Sequence, residues 1–308
     1  MAALVCFKGG STVDMQFVVA QEDAGMRLRD FLRKSGMSAT LLKSIKQDAG
    51  FFCEGMSMHA DVRVPANAHI TFALPPESDT TVTPEDLPLT ILYEDRHTMV
   101  LQKPAGQTVH PTRGYIDGTL ANAFCGEMQR RGMTAVFRPV NRLDRNTSGL
   151  VLCACDAYAA PLLARSVQKG YYAVIEGVLS QKNGIIDAPI ALAENSLIKR
   201  CIAANGKQSQ TEYHVLAQEN GFSLVYCILH TGRTHQIRVH FASLGHPLAG
   251  DDLYGGSTQY IARQALHCGE ISFQKVETNE TQHVTASLPP DFCALCAQAK
   301  IEISQFIK

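Results

Sequence analysis

Apolar residues at helical spacing open the interpretable part of the chain: Leu28, Phe31 and Leu32 share one face of a predicted helix. Ser38 can cap a second helix, in which Leu41, Leu42 and Ile45 point inward and which Gly50 ends. The period then shortens. Residues 51–53 and 56–58 flank Glu54-Gly55 as a tight hairpin, and Val62, Val64, Ile70 and Phe72 predict further short strands. From 74 to 90 Pro75, Pro76, Pro84 and Pro88 stand among Glu77, Asp79, Glu85 and Asp86, a composition that extends and solvates a chain. These limits divide the sequence into an extension (1–16), a small module (17–74), a linker (75–88) and a large C-terminal domain (89–308).

In the large domain short β-rich runs alternate with a few helices and no fixed repeat, which predicts one mixed α/β (α+β) unit. Strands are expected over 91–93, 98–101, 150–153, 171–176, 212–216 and 224–229, and helices over 120–131 and 158–168. A further helix is expected with Thr234 as its cap, Ile237, Phe241 and Leu244 on its buried face, and Gly245 as its stop.

At 308 residues and 45% hydrophobic content, the chain can bury a sizeable core. No apolar run approaches the roughly 18 residues of a membrane span. Residues 2–7 are too short for a secretory core and lack a basic lead-in, so a cytoplasmic location is expected, with no membrane partner and a monomer as the default. The ten cysteines are then reduced thiols packed as small hydrophobes. Cys293 and Cys296 have C-x-x-C spacing, but no second pair completes a zinc site, and they fit one face of a C-terminal helix. His230, His235 and His240 recur every five residues, which suits neither a strand face nor a helix face. No metal is expected. The sequence lacks a G-x-x-x-x-G-K-[ST] phosphate loop, so no nucleotide cofactor is expected either.

A formal net charge of −1 does not point to a polyanion, but local charge does. Between Met26 and Lys46, Arg27, Arg29, Arg33, Lys34, Lys43 and Lys46 stand against a single acid, Asp30. The densest polar stretch, residues 138–149, sets Arg138, Arg142 and Arg145 around Asp144, and Thr147-Ser148-Gly149 then turns into an apolar strand. Charge alone fits a surface ion-pair cluster as well as an active site; the fixed exit of the loop favours the latter.

Arg142, Leu143, Asp144, Thr147, Ser148 and Gly149 form an R-L-D-x-x-T-S-G segment that resembles the central motif of the RluA family of pseudouridine synthases, with Asn141 where that family has histidine. Further matches keep the family's order. Residues 103–106 with His110-Pro111 and Thr119-Leu120 with Asn122-Ala123 precede the motif. Lys169, Tyr171 and Ala173, then Gly206-Lys207 with Ser209, Thr211 and Tyr213, then residues 231–238 with His246-Pro247, and lastly Leu266-His267 follow it. The resemblance spans about 91–273. The small module, with R-L-x-x-F-L, a second helix and a short strand, resembles the alpha-L RNA-binding module of a small-subunit ribosomal protein.

These resemblances imply a mixed, mainly antiparallel curved sheet with flanking helices, and isomerisation of uridines in structured RNA, ribosomal RNA ahead of transfer RNA, without a cofactor. They imply Asp144 as nucleophile, Arg233 paired with it, and Tyr171 against the uracil as an acid–base group. Arg142, Leu143, Arg145, Thr147, His110 and Arg238 would contact the substrate, and Arg27, Arg33, Lys34, Lys43 and Lys46 neighbouring phosphates. The alternative is a binding or ribosome-assembly factor of the same fold that has lost turnover.

Overall fold

Alternation along residues 12–18, which the helical signals after it overshadow, makes an inner strand of the first unit. The computed structural model describes residues 4–9, 12–75 and 81–304. In it β1 (Leu4–Gly9) and β2 (Thr12–Val18) are followed by helices α1 (Leu28–Lys34) and α2 (Ala39–Asp48), then β3 (Phe51–Cys53), β4 (Met56–Met58) and β5 (His69–Ala73). The strands form one antiparallel sheet in the order β1-β2-β5-β3-β4. Residues expected to be an extension thus belong to the module's sheet, because Met15 and Phe17 alternate into its core. Phe17 stacks on Phe72 at 5.8 Å, and Leu28, Phe31, Leu32, Leu41 and Ile45 close the core from the helical side. Ser38 caps α2 as expected, accepting from the Leu41 amide at 3.1 Å.

Part of the acidic, proline-rich segment is tied to the large domain, although Thr83, Pro84, Asp86 and Pro88 stay exposed. Residues 76–80 of the expected linker lie outside the described residues, but Thr83 and Glu85 run along the first helix of the large domain, α3 (Leu120–Arg130). The Asn122 side chain donates to the Thr83 carbonyl at 2.9 Å, and the Glu85 amide donates to the Asn122 carbonyl at 3.1 Å. Gly126 permits this approach, since a Cβ there would meet the Glu85 carbonyl oxygen at 1.9 Å. Composition predicts solvation; backbone pairing to a helix without a side chain at the contact overrides it locally.

The large domain continues through β6 (Thr90–Glu94), β7 (Thr98–Lys103), β8 (Arg138–Pro139), β9 (Ser148–Ala154), helix α4 (Ala159–Ser166), β10 (Gln168–Glu176) and β11 (Asn183–Asp187). A separate hairpin of β12 (Ile190–Leu192) and β13 (Arg200–Ile202) follows, then β14 (Gln210–Glu219), β15 (Phe222–Leu229), helix α5 (Gln236–Ser243), β16 (Leu266–Gln274), β17 (Thr281–Thr285) and helix α6 (Pro290–Gln298). A ten-stranded sheet runs β11-β14-β15-β10-β16-β9-β7-β6, with β8 on β9 and β17 on β16. Every pairing is antiparallel except β16 with β9, so the sheet is mixed and mainly antiparallel, as the motifs imply. Helices α3, α4 and α5 share one core with Tyr171, Ala173 and Ile175 of β10; the alternate residues Tyr172 and Val174 pack with Phe292, Leu295 and Cys296 of α6. Among the described residues no helix is long and apolar enough to cross a membrane.

Two expectations about α5 need correction. Thr234 is exposed and does not cap it; His235 stands at the N-cap in the left-handed region (φ 58°), and the Gln236 side chain accepts from the Arg233 amide at 3.0 Å instead. Leu244 is 47% exposed, because the helix ends at Ser243 before its apolar stripe is complete.

Candidate active site

The motif loop reaches the sheet where its two halves meet. Gly149 (φ 120°), the second residue of β9, stands opposite Cys268 of β16, and a Cβ would stand 2.2 Å from the Cys268 carbonyl oxygen, so this parallel junction requires glycine. Side chains on both sides then pin the loop. Thr147 accepts from Gln264 at 3.1 Å while its amide donates to the Asp144 carbonyl at 3.0 Å. Ser148 Oγ lies 2.9 Å from His267 Nδ1. Asn141 donates to the Leu150 carbonyl at 3.1 Å and accepts from the Leu152 amide at 2.8 Å. This clip needs one donor and one acceptor, which a neutral amide supplies, so Asn141 serves without a titratable ring.

Beneath the loop lies Lys103 at the end of β7, fully buried, within the first of the matched family segments. Its Nζ donates to the carbonyls of Gln107 (2.7 Å), Pro104 (2.8 Å) and Arg145 (3.0 Å). Those carbonyls take all three ammonium protons. Burial draws its pKa down to about 7, against the opposing pull of the Asp144 charge.

Asp144 presents a carboxylate that is held from one side. Its Oδ2 lies 3.2 Å from Arg238 Nη1 and 3.7 Å from His235 Nε2, and no hydrogen bond or ion pair among the described residues engages Oδ1. Arg238 is itself fixed, since its Nε and Nη2 bond both oxygens of the fully buried Asp251 at 2.7 and 2.8 Å. Burial opposes the Arg238 charge, but Asp251 and then Asp144 raise its pKa overall. The expected pairing of Arg233 with Asp144 is therefore corrected: Arg233 is exposed and donates to the Gln208 carbonyl at 3.3 Å, because it precedes α5 whereas Arg238 projects from the helix toward the loop.

Around this carboxylate lies a cleft of about 490 Å³, lined among others by His110, Arg142, Tyr171, Arg233 and His235. That size suits a nucleotide-sized group. Tyr171 is almost fully buried; desolvation first, then Cys268 and the Asp144 charge, hold its phenol well above the usual range, so it is protonated at neutral pH. His110, whose ring edge meets Phe137 at 5.1 Å, is pushed toward the neutral form by burial and by Arg142. Arg142 is exposed at the cleft, while Leu143 is part of the core. Arg145 also lines the cleft, while donating to Gly106 O at 3.0 Å and Tyr115 Oη at 2.8 Å and lying over the Tyr115 ring. In the module Arg27, Arg33, Lys43 and Lys46 are exposed, whereas Lys34 is paired with Asp23 at 2.5 Å. A larger groove of about 950 Å³, between the module and the large domain, shares no lining residue with the cleft.

The family model described as RNA pseudouridylate synthase matches residues 97–243, which include the motif loop, Tyr171 and all of α5. An uncharacterized RNA pseudouridine synthase of Bacillus subtilis, YjbO, is 36% identical over 278 residues, covering 88% of this chain and 98% of its own. The chain belongs to the RNA pseudouridine synthase family. Another member, the ribosomal large subunit pseudouridine synthase D of Nitrosomonas europaea, is 36% identical over 233 residues, 71% of this chain and 67% of its own. Among solved structures, human RNA pseudouridylate synthase domain containing 1 superposes with a TM-score of 0.55 at 28% identity, covering 66% of this chain and 84% of that one. The alternative of an inactive factor finds no support in these relatives, which carry the names of enzymes.

Sequence reading missed the roles of four residues at this pseudouridine synthase site: Lys103, His235, Asp251 and Tyr254. Lys103 and His235 stand inside the family's motifs, so position signalled them but function did not. Asp251 and Tyr254 follow α5 in a loop with no periodic signal, and only the fold brings them to Arg238 and His235.

Proposed function

We propose that the enzyme isomerises uridines of ribosomal RNA with Asp144 as its nucleophile. The observation that carries this reading is the one-sided grip on a carboxylate that lines the cleft: Arg238 holds Oδ2, and no hydrogen bond or ion pair among the described residues engages Oδ1. The reaction breaks the bond from ribose to base nitrogen, rotates the uracil and rejoins it through a ring carbon, with no net redox change. A carboxylate serves each conceivable opening step, whether attack on the anomeric carbon, attack on the ring or elimination to a glycal. An aspartate with an ordinary pKa of about 3.9 is already ionised at neutral pH, so the task of the cations is placement.

Tyr171 would lie against the flipped base, stacking on it and donating a hydrogen bond from its protonated phenol, which takes the ring carbon's proton only after giving up its own. Arg142, exposed at the cleft, would fill the space the base leaves. The exposed Arg27, Arg33, Lys43 and Lys46 would hold phosphates nearby. Ribosomal RNA is favoured because relatives such as the Nitrosomonas europaea protein are named for the large ribosomal subunit. We place the enzyme in the cytoplasm as a cofactor-free monomer; free thiols at the nine cysteines from Cys53 onward suit a reducing compartment.

Mapping pseudouridines in total RNA from cells with and without the gene tests this reading. The expected outcome is the loss of one or more pseudouridines from ribosomal RNA, restored by the wild-type gene and not by Asp144→Asn. Loss confined to transfer RNA would overturn the substrate, and an unchanged map would overturn the reading as a whole.

A further inference from the structure

His235 and Tyr254 form a chain of contacts that ends on the nucleophile. Tyr254 Oη accepts the main-chain amide of Arg200 in β13 at 2.9 Å and lies 2.8 Å from His235 Nδ1. No other acceptor for the Tyr254 proton is found among the described residues, so the phenol donates to Nδ1. Nδ1 then carries a lone pair, and the imidazole proton sits on Nε2, which lies 3.7 Å from Asp144 Oδ2. Histidine holds this position in a left-handed backbone conformation (φ 58°), a strained placement for a residue with a Cβ. Tyr254 serves the other side too, since the Arg238 guanidinium lies over its ring at 5.0 Å.

We propose that Tyr254 and His235 are positioning residues that fix the Nε2–H tautomer, so that a neutral N–H and the Arg238 cation together confine Oδ2 and leave Oδ1 to react. The inference rests on the reading of Asp144 as nucleophile. At 3.7 Å the N–H is aimed at the carboxylate without yet bonding it, a separation that closes when substrate orders the cleft. The groups facing the ring are Asp144, Arg238, Asp251 and Arg200, and burial outweighs them in favouring the neutral form. Because the first link is main chain of β13, the seating of the β12–β13 hairpin is tied to the orientation of the nucleophile.

Two measurements on the full-length protein test this. Long-range ¹H–¹⁵N spectra of histidine-labelled enzyme should show His235 as the Nε2–H tautomer, and Tyr254→Phe should release it into a mixture. In single turnover, Tyr254→Phe should slow the chemical step about tenfold, and His235→Phe by up to about a hundredfold, with RNA affinity held near wild type. His235→Gln, which keeps a donor for Asp144, should recover most of that loss. An Nδ1–H tautomer in the wild type, or a tautomer and rate indifferent to Tyr254→Phe, would overturn the proposal. Equal loss in His235→Gln and His235→Phe would overturn it as well by reducing the residue to packing or backbone geometry. If Asp144→Asn keeps its activity while the tautomer result stands, the nucleophile reading fails and the His235–Tyr254 pair does not.

Discussion

Arg233 and Arg238 lie five residues apart in one motif, and sequence spacing alone cannot say which guanidinium reaches Asp144. The fold decides it through Asp251, which grips Arg238 from behind and leaves its remaining nitrogen on Asp144. The two arginines should therefore behave differently when removed. Arg238→Ala leaves the buried Asp251 charge without its partner, and the unfolding free energy should fall by about 3–5 kcal/mol. The chemical step should slow by about a hundredfold or more with it, because the charge that places Asp144 is gone. Arg233→Ala, at an exposed position, should change stability by no more than about 0.5 kcal/mol. Denaturant unfolding and single-turnover rates on both variants check this; a larger loss of either in Arg233→Ala would restore the pairing expected from the motif. Residue identities at the centre, Asp144 and Tyr171, were legible because the motif fixes them. Their partners were not, because a side chain's reach depends on which helix turn carries it.

At the scale of elements, the helices and six strands of the large sheet, β6, β7, β9, β10, β14 and β15, followed from periodicity, while β8, β11, β17 and the strand that completes the site did not. β16 is buried on both faces at Leu266, His267 and Cys268 and alternates only from Glu270 to Gln274, so the half that reaches the site carries no alternation to read. β2 was overlooked for a different reason: its alternation is clear but short, and stands before a stronger helical signal. The junction of β16 with β9 depends on Gly149. Gly149→Ala should lower the unfolding free energy by at least about 3 kcal/mol, through its positive φ and the clash with the Cys268 backbone. A variant with the wild-type unfolding midpoint would show that the parallel junction can shift, and that it does not fix the motif loop.

Across the whole molecule, the module and the large domain meet through Tyr158, whose ring packs edge-on against Phe17 at 5.8 Å and whose hydroxyl donates to the Ser35 carbonyl at 2.9 Å. Sequence composition placed a boundary between the two units but could not show this contact, since Tyr158 reads as one more apolar residue at the start of a helix. The contact makes substitution a cleaner test of the module than deletion, which would expose Tyr158. Replacing Arg33, Lys43 and Lys46 together by glutamine should weaken RNA binding and flatten its salt dependence, by about 0.7–0.9 in log–log slope for each phosphate no longer neutralised. The rate at saturating RNA should be unchanged. A salt slope equal to the wild type would mean that the basic face is solvated and does not touch RNA.

The central claim is that Asp144 attacks the substrate, and its most direct test is pseudouridine formation by Asp144→Asn in single turnover, with RNA affinity measured on the same protein. The amide keeps the shape and a hydrogen-bonding oxygen for Arg238 but loses the nucleophile, so pseudouridine formation should vanish while affinity stays within about a few-fold of wild type. Turnover by Asp144→Asn near the wild-type rate would contradict the account.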